Sequence, residues 1–263
     1  MTIIDFSNEY KSTYFVCLED WSEEMKEAGD HKEAWYSEMK NKGLKIKLAI
    51  NESGKVAGMI QYIPIEHSFA EGNDLYFILC IWVHGYKKGI GDFQKQGFGK
   101  ELLQAAEKDV KKLGAKGIAA WGLSLPFWMK AKWFKKQGYT QVDKEKIQVL
   151  LWKAFTDEAT PPRWIRQKKT PEKEAGKVII SSFINGWCPV QNIVYERAKR
   201  AASAPEFEEI VEFRAYDTMD RDIFIDWGIA DGLFIDDEQI RTGPPPSYNK
   251  IYKKIAKKVK KLS

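Results

Sequence analysis

Residues 94–100 contain residue types that suit phosphate binding. They also lie at a predicted strand-to-helix junction, where proteins commonly bind phosphate. The segment follows an apolar run, residues 75–83, that predicts a buried strand, and it opens an amphipathic helix that stops at Gly114. The first amides of a helix lack internal partners, the helix dipole favours anions there, and glycine lets the backbone approach an oxygen atom. The predicted phosphate cradle consists of Gln94, Lys95, Gln96, Gly97, Phe98, Gly99 and Lys100.

The glycine spacing distinguishes this segment from two common phosphate loops. A dinucleotide-binding loop needs G-x-G-x-x-G and a Walker loop needs G-K-[ST], and the segment contains neither. The pattern Gln94-x-x-Gly97-x-Gly99 instead resembles motif A of the GNAT superfamily of N-acetyltransferases. A short apolar strand at 117–121 and a helix at 127–137 that runs into Gly138-Tyr139 resemble motif B of that family.

The resemblance covers residues 1–155 and implies an α/β fold, a GNAT-like mixed sheet with flanking helices, with acetyl-CoA as cosubstrate. It implies that Ile81, Trp82 and Val83 pair with the pantetheine arm as an added strand would. By its place in the pattern, the backbone N–H of Val83 is also the donor that polarises the thioester carbonyl. Phe127, near the start of the motif B helix, is expected to line the acyl or substrate cleft.

Acetyl transfer to an amine requires a proton acceptor, since only the neutral amine attacks. The candidate bases are Glu66, His67 and His84, with His84 ranked first because it follows Val83 directly and imidazole titrates near neutral pH. Two positions depart from the family pattern. Phe134 stands where many relatives have a tyrosine that protonates the leaving thiolate, and residues 76–83 contain no carboxylate.

A second pattern covers residues 177–263. Apolar periodicity predicts the order β-α-β-α-β-β-α, which is the minimal thioredoxin arrangement, and Trp187-Cys188-Pro189 at the first strand-to-helix junction resembles the thioredoxin active site. Gln191 stands at the position of the second cysteine, and Ala230-Asp231 stands where thioredoxins usually have a cis-proline. A two-cysteine redox cycle within this site is therefore excluded. The two-domain combination resembles the YoaP group of bacterial acetyltransferase-like proteins.

Composition limits the possible classes further. The 263 residues include 44% hydrophobic and 30% charged residues, with a net charge of +5, which by itself does not indicate nucleic-acid binding. No apolar run is long enough for a membrane span, and Met1 to Phe6 lack the features of a signal peptide. Three widely spaced cysteines fit a reducing cytoplasm, and no Cys/His spacing indicates a metal site.

The sequence therefore predicts an acetyl-CoA-binding domain at 1–155, a linker at 156–176 and a thioredoxin-like domain at 177–263. The predicted activity is transfer of an acetyl group from acetyl-CoA to the primary amine of a small molecule or peptide, by direct attack in a ternary complex. The alternative is a catalytically weak CoA-binding or sensor protein whose second domain serves interactions. A third interpretation, a monothiol redox protein, rests on Cys188 alone. No nucleic-acid or membrane partner is expected.

Overall fold

A computed structural model of the protein describes residues 1–125 and 128–262. The chain divides into two compact units, which are described separately. Unit 1 comprises Met1–Trp21 and Glu38–Ile165, and unit 2 comprises Ser22–Ser37 and Arg166–Ser263. None of the described helices is long and apolar enough to cross a membrane.

Unit 1 is built on a seven-stranded mixed sheet in the order β1-β2-β3-β5-β6-β8-β7. Its strands and those of a small two-stranded sheet are β1 (Thr2–Asp5), β2 (Lys45–Ile50), β3 (Val56–Pro64), β4 (Ala70–Glu71), β5 (Leu75–Val83), β6 (Gly117–Leu123), β7 (Thr140–Glu145), β8 (Gln148–Ala154) and β9 (Arg163–Trp164). Only β5 and β6 pair in parallel within the large sheet, joined by a helical crossover. The helices of unit 1 are α1 (Lys11–Phe15), α3 (Phe98–Lys112) and α4 (Ala131–Lys136), whereas most of α2 (His31–Met39) belongs to unit 2.

The helix α3 crosses between β5 and β6 and covers one face of the sheet. The periodicity predicts an apolar stripe of Leu102, Leu103, Ala106, Val110 and Leu113. The first four are buried against the sheet, whereas Leu113, just after the helix, is exposed. The hydroxyl of Tyr62 on β3 donates to a carboxylate oxygen of Asp109 on α3 at 2.6 Å. This bond and the apolar stripe fix the axis of α3, so its N-terminus lies just beyond the end of β5.

Unit 2 has a four-stranded sheet in the order β11-β10-β12-β13. Its elements are β10 (Val178–Ile184), α5 (Pro189–Ala202), β11 (Val211–Asp217), α6 (Arg221–Trp227), β12 (Gly232–Ile235), β13 (Glu238–Ile240) and α7 (Tyr248–Val259). The strands β10 and β11 are parallel, whereas β12 is antiparallel to both β10 and β13. The predicted order of strands and helices is therefore present. Ala198, Ala201, Ile251 and Ile255 are buried in its core.

The division of the chain differs from the contiguous boundaries that the sequence predicted. The segment Ser22–Ser37 belongs to unit 2, where Glu24 and Glu27 accept hydrogen bonds from Arg197 at 2.9 and 2.7 Å. His31 contacts Glu196 at 2.7 Å in the same unit. The predicted linker at 156–176 is also divided, because its first part forms β9 and pairs with β4 in unit 1. The contacts of Ser22–Ser37 with Arg197 and Glu196 join residues about 170 positions apart, which local sequence patterns do not reveal.

Candidate active site

The strands β5 and β6 separate in the middle of the sheet. Their parallel pairing runs from Leu75 and Gly117 to Ile78 and Ala120, and stops there among the described residues. Yet β5 continues to Val83 and β6 continues to Leu123, which still pairs with β8. An irregularity at the same level marks the start of the gap: Gln61 on β3 faces Cys80 while Tyr62 faces Ile78, so Leu79 is an extra residue in β5.

The register of β3 and β5 determines which backbone groups turn toward this gap. Val83 faces Gly58, and the N–H of the next residue, His84, donates to the carbonyl of Ala57 at 2.9 Å. Residues facing each other in this way form a non-hydrogen-bonded pair, so the N–H of Val83 points away from β3. Because directions alternate along a strand, the N–H of Ile81 points the same way.

This alternation corrects one part of the predicted pantetheine contact. Trp82 lies between Ile81 and Val83 and faces Met59 in a hydrogen-bonded pair, so its backbone groups serve β3 and not the gap. Two of the three predicted residues, Ile81 and Val83, present their N–H groups to the open edge. That edge can accept an extended ligand as a further strand would.

The predicted phosphate cradle lies at the outer end of the gap. Gly97 is the N-cap of α3 with φ of 91°, a left-handed conformation that favours glycine. Residues Gln94, Lys95, Gln96 and Gly97 are exposed, and Phe98 is buried and anchors the helix start. The N–H groups of Lys100 and Glu101 bond back to the carbonyl of Gly97 at 2.9 and 3.1 Å, leaving those of Phe98 and Gly99 as the first amides of the helix.

Space around the cradle suits an anion. A Cβ placed on Gly97 meets no atom within 4 Å, and a Cβ on Gly99 reaches Trp133 at 3.5 Å and Val83 at 3.8 Å. A branched side chain on Gly99 therefore extends into the space between the helix N-terminus and the end of β5. Lys95 and Lys100 add positive charge, with Glu101 as an opposing charge in the first helical turn.

His84 does not have the geometry of a general base. Its side chain is fully buried, its Nδ1 lies 2.6 Å from the carbonyl oxygen of Gly91, and its Nε2 accepts the indole N–H of Trp21 at 3.1 Å. A carbonyl cannot donate, so Nδ1 must carry the proton, and Nε2 has its lone pair occupied. The imidazole is therefore held neutral as a structural bridge, and the first-ranked base of the sequence interpretation is contradicted by its environment.

Glu66 and His67 lie at the wrong end of the sheet for this role. They belong to a short 3-10 turn, Ile65–His67, that follows β3, and the last residue of β3, Pro64, faces Tyr76 near the start of β5. Val83 is seven positions further along β5, or roughly 23 Å at strand spacing. Ile81 is five positions from Tyr76, or roughly 16 Å. Direct proton transfer requires hydrogen-bond distance, so neither residue can act on a group held at Val83 or Ile81.

The remaining candidates fall in motif B. Phe134 is fully buried in the core beside Tyr139, with ring centroids 5.4 Å apart, and it carries no proton to donate. The hydroxyl of Tyr139 is itself buried, and burial raises the pKa of Tyr139 well above its usual range. Phe127 lies outside the described residues. The predicted helix at 127–137 is shorter than expected, since α4 begins at Ala131.

In unit 2, Cys188 is the N-cap of α5 and is 6% exposed. Its neighbour Trp187 donates an indole N–H to Asp231 at 2.9 Å, and the N–H of Asn185 donates to the other carboxylate oxygen at 3.0 Å. Burial raises the pKa of Asp231 to about 6, against the lowering effect of both hydrogen bonds. Asp231 stands where thioredoxins usually have a cis-proline. Its two hydrogen bonds support the loop that carries Cys188.

Two site residues lacked a signal in the sequence. Trp21 reaches His84 across 63 positions, and Trp121 donates its indole N–H to the carbonyl of Leu79 at 2.7 Å across 42 positions. Trp21 stands in a polar stretch, and Trp121 ends the apolar strand at 117–121 among the aromatic residues around motif B, where the sequence predicts a core position and no site role. The described residues contain no group of His, Cys, Asp and Glu that could hold a metal ion.

A mixed sheet with a splayed strand pair, open backbone N–H groups and a helix N-terminus beyond them defines a protein that binds an extended, phosphate-bearing ligand. Residues 3–139 match the family model described as the acetyltransferase (GNAT) family. The chain belongs to this family, and it is accordingly an acyltransferase with acetyl-CoA as cosubstrate.

Comparison with solved structures found similar chains in the same class. An acetyltransferase of the GNAT family from Staphylococcus aureus Mu50 is 17% identical with a TM-score of 0.43, covering 59% of this chain and 99% of its own. The PaiA N-acetyltransferase of Thermoplasma acidophilum, solved with coenzyme A, is 20% identical with a TM-score of 0.43, covering 59% and 100%. The aminoglycoside 6'-N-acetyltransferase of Enterococcus faecium is 17% identical with a TM-score of 0.45, covering 61% and 100%. A comparison with curated proteins found no match.

Proposed function

We propose that the protein transfers an acetyl group from acetyl-CoA to a primary amine of a small molecule or peptide, by direct attack in a ternary complex. The observation that carries this proposal is the open edge of β5, where Ile81 and Val83 turn their N–H groups toward the gap. The edge leads directly to the exposed N-terminus of α3. An extended ligand can therefore pair with the edge of β5 and place its phosphates at the N-terminus of α3.

Each element has a distinct role in this proposal. The N–H groups of Phe98 and Gly99 and the charges of Lys95 and Lys100 hold the pyrophosphate. Val83 lies beside the cradle, so its N–H pairs with the pantetheine arm. The N–H of Ile81, further along the same edge, takes the place of Val83 as the proposed donor to the thioester carbonyl. A preorganised N–H of this kind stabilises the negative charge that develops on the carbonyl oxygen in the transition state.

The amine proton leaves to solvent in this scheme and not to His84, Glu66 or His67. His84 is closed off by Trp21 and Gly91, and the other two lie at the far end of β5. The attacking species is the fraction of the amine that is already neutral, so the rate follows the pKa of the free acceptor. Because position 134 is Phe and not Tyr, no side-chain acid at this position protonates the thiolate of CoA as it leaves.

A second candidate function remains a CoA-binding or sensor protein with little turnover. Phe134 in the core, lacking a hydroxyl, and the closed His84 are compatible with this candidate, whereas membership of the acetyltransferase family supports the enzyme. The open edge of β5 is compatible with both functions. A measurable rate of CoA release in the presence of an amine separates them.

For unit 2 we propose a thioredoxin-like accessory domain without redox cycling, in a protein of the YoaP group that works in the cytoplasm. The sheet order β11-β10-β12-β13, with a helix after each of the first two strands, supports the thioredoxin-like topology. Gln191 in the second cysteine position and the buried thiol of Cys188 argue against a disulfide cycle.

The proposed function is tested in two stages with the full chain. Calorimetry with acetyl-CoA and CoA measures binding, and a panel of polyamines, amino sugars and peptide N-termini is then screened for amine-dependent release of CoA thiol. Acetyl-CoA binding with amine-dependent release supports the enzyme, and an intersecting initial-velocity pattern supports the ternary complex. Binding without release for any amine favours the sensor, and absence of binding overturns both.

A further inference from the structure

Trp121 occupies the point at which β5 and β6 separate. Ala120, the residue before it, is the last residue of β6 that pairs with β5. The indole N–H of Trp121 then reaches across to the carbonyl of Leu79, at 2.7 Å. A side chain thus takes over the cross-strand bond at the position where backbone pairing stops.

The bond with Leu79 fixes the indole in the inner end of the gap. Leu79 is the extra residue of β5, and its carbonyl is the first on the open edge, followed by Ile81 and Val83. Trp121 also packs against the core of unit 1 and meets Trp128 edge to face, with ring centroids 5.2 Å apart. The ring is held on several sides and is partly buried, with its N–H on the carbonyl of Leu79 where the strands separate.

The direction in which the ligand runs follows from the cradle. The helix N-terminus at Gly97–Gly99 lies beyond the outer end of β5, so an arm that starts from the phosphates runs back along Val83 and Ile81 toward Leu79. From Val83 to Leu79 is four residues, or roughly 13 Å of strand. The acyl end of the ligand therefore arrives at the indole of Trp121.

We propose that Trp121 is a specificity-determining residue, which closes the inner end of the gap and limits the transferred acyl group to acetyl. This inference rests on the proposed function, because it requires the ligand path along β5. A rigid ring held by its own hydrogen bond cannot move aside without leaving the Leu79 carbonyl unpaired. Each additional methylene of a longer acyl chain therefore clashes with the fixed indole ring.

The test compares binding of CoA, acetyl-CoA and butyryl-CoA by calorimetry, which needs no acceptor amine. The wild-type protein is expected to bind butyryl-CoA at least about tenfold more weakly than acetyl-CoA. Trp121→Leu removes the ring and should reduce that ratio to about twofold or less, while CoA itself binds as in the wild type. Trp121→Phe keeps a ring without the N–H and should give an intermediate ratio.

Trp164→Phe is the matched control, since Trp164 is a partly buried indole of the same unit whose N–H is buried without a hydrogen-bond partner among the described residues. It should retain the wild-type ratio. If the wild type binds both acyl-CoA esters equally, or if Trp121→Leu keeps the wild-type ratio while binding CoA normally, the inference is overturned. If Trp121→Leu does not fold, Trp121→Phe provides the comparison, and an unchanged ratio in that variant overturns the inference as well. Failure of the wild type to bind CoA contradicts the proposed function instead.

Discussion

The indole N–H of Trp21 donates to Nε2 of His84 at 3.1 Å, on the side of the imidazole opposite to its contact with Gly91. The two partners fix a neutral tautomer with the proton on Nδ1. Next to His84, the chain loops out and returns, with Phe93 N–H bonding to the His84 carbonyl at 2.8 Å. His84 therefore holds the base of the loop between β5 and the phosphate cradle.

The first prediction concerns this bridging role. His84→Gln can still donate to the Gly91 carbonyl and accept from Trp21, so its free energy of unfolding should stay within about 1 kcal/mol of wild type. His84→Ala leaves the indole N–H of Trp21 and the carbonyl of Gly91, both partly buried, without this partner and should cost about 1–3 kcal/mol. Urea unfolding of the two variants measures the difference.

The same variant tests the proton acceptor. His84→Gln should keep the pH dependence of amine-dependent CoA release, because the scheme assigns the proton to solvent. Glu66→Gln and His67→Gln should do so as well. Loss of the acidic limb in any one of these variants, with folding and CoA binding unchanged, would restore that residue as the base.

The second prediction concerns the phosphate cradle. Gly99→Val should abolish stabilisation by acetyl-CoA, because its branched methyl groups extend into the space between the helix N-terminus and Val83. Gly99→Ala is the matched control: its Cβ makes only ordinary contact with Trp133 at 3.5 Å, so most of the affinity should remain. Calorimetry with both variants decides, and equal CoA affinity in Gly99→Val and wild type contradicts the cradle.

The third prediction concerns the pH dependence of unit 2. Hydrogen bonding from Arg197, followed by that from Arg200, holds the pKa of Glu27 below its usual range. A lowered pKa stabilises the fold above the unfolded-state pKa, and this contribution is lost as the pH falls through the folded-state value. Glu27→Gln should therefore cost about 1–3 kcal/mol of unfolding free energy at pH 7, and little in acid.

The control for Glu27 is Glu23→Gln. Glu23 pairs with Lys26 at 2.6 Å, but both side chains are largely exposed, so the change should have little effect at either pH. Urea unfolding at pH 7 and in acid provides the comparison. A pH-independent difference between Glu27→Gln and wild type would show that the effect is not electrostatic.

The fourth prediction concerns Asp231, whose pKa is raised by burial to about 6 from 3.8. The native state holds a proton that the unfolded state has released, so this carboxyl makes the fold less stable as the pH rises from about 4 to above 6. Asp231→Asn lacks this pH-dependent loss, so the stability of the variant relative to wild type should rise by on the order of 3 kcal/mol across the window. Unfolding curves at several pH values measure it, and a parallel dependence in both proteins contradicts it.

The fifth prediction concerns Cys188. Cys188 is 6% exposed as a residue at the start of α5, so in the native protein its thiol should react far more slowly with a disulfide reagent than in urea. Cys188→Ser should leave acetyl transfer within a few-fold of wild type, and the wild type should fail to reduce insulin disulfides with dithiothreitol. Loss of transfer in the variant, with folding and CoA binding unchanged, would make Cys188 catalytic.

The sequence alone determined the elements whose signals are local. The apolar run at 75–83, the amphipathic stripe of α3 and the glycines at 97 and 99 predicted a strand, a helix and an anion-binding turn, because periodicity and backbone freedom belong to neighbouring residues. The element order of unit 2 followed in the same way.

Only the tertiary structure decided how these elements pair, which side chains are enclosed and how far apart the candidate residues lie. The end of pairing at Ile78 and Ala120, the closure of His84 by Trp21 and the distance of Glu66 from Val83 depend on strand register and on contacts tens of residues apart. The same holds for the segment Ser22–Ser37, which Arg197 and Glu196 bind into unit 2. The sequence specifies which residue stands at each position. Proton transfer and ligand pairing depend on distance and burial, which are set only when the elements pack.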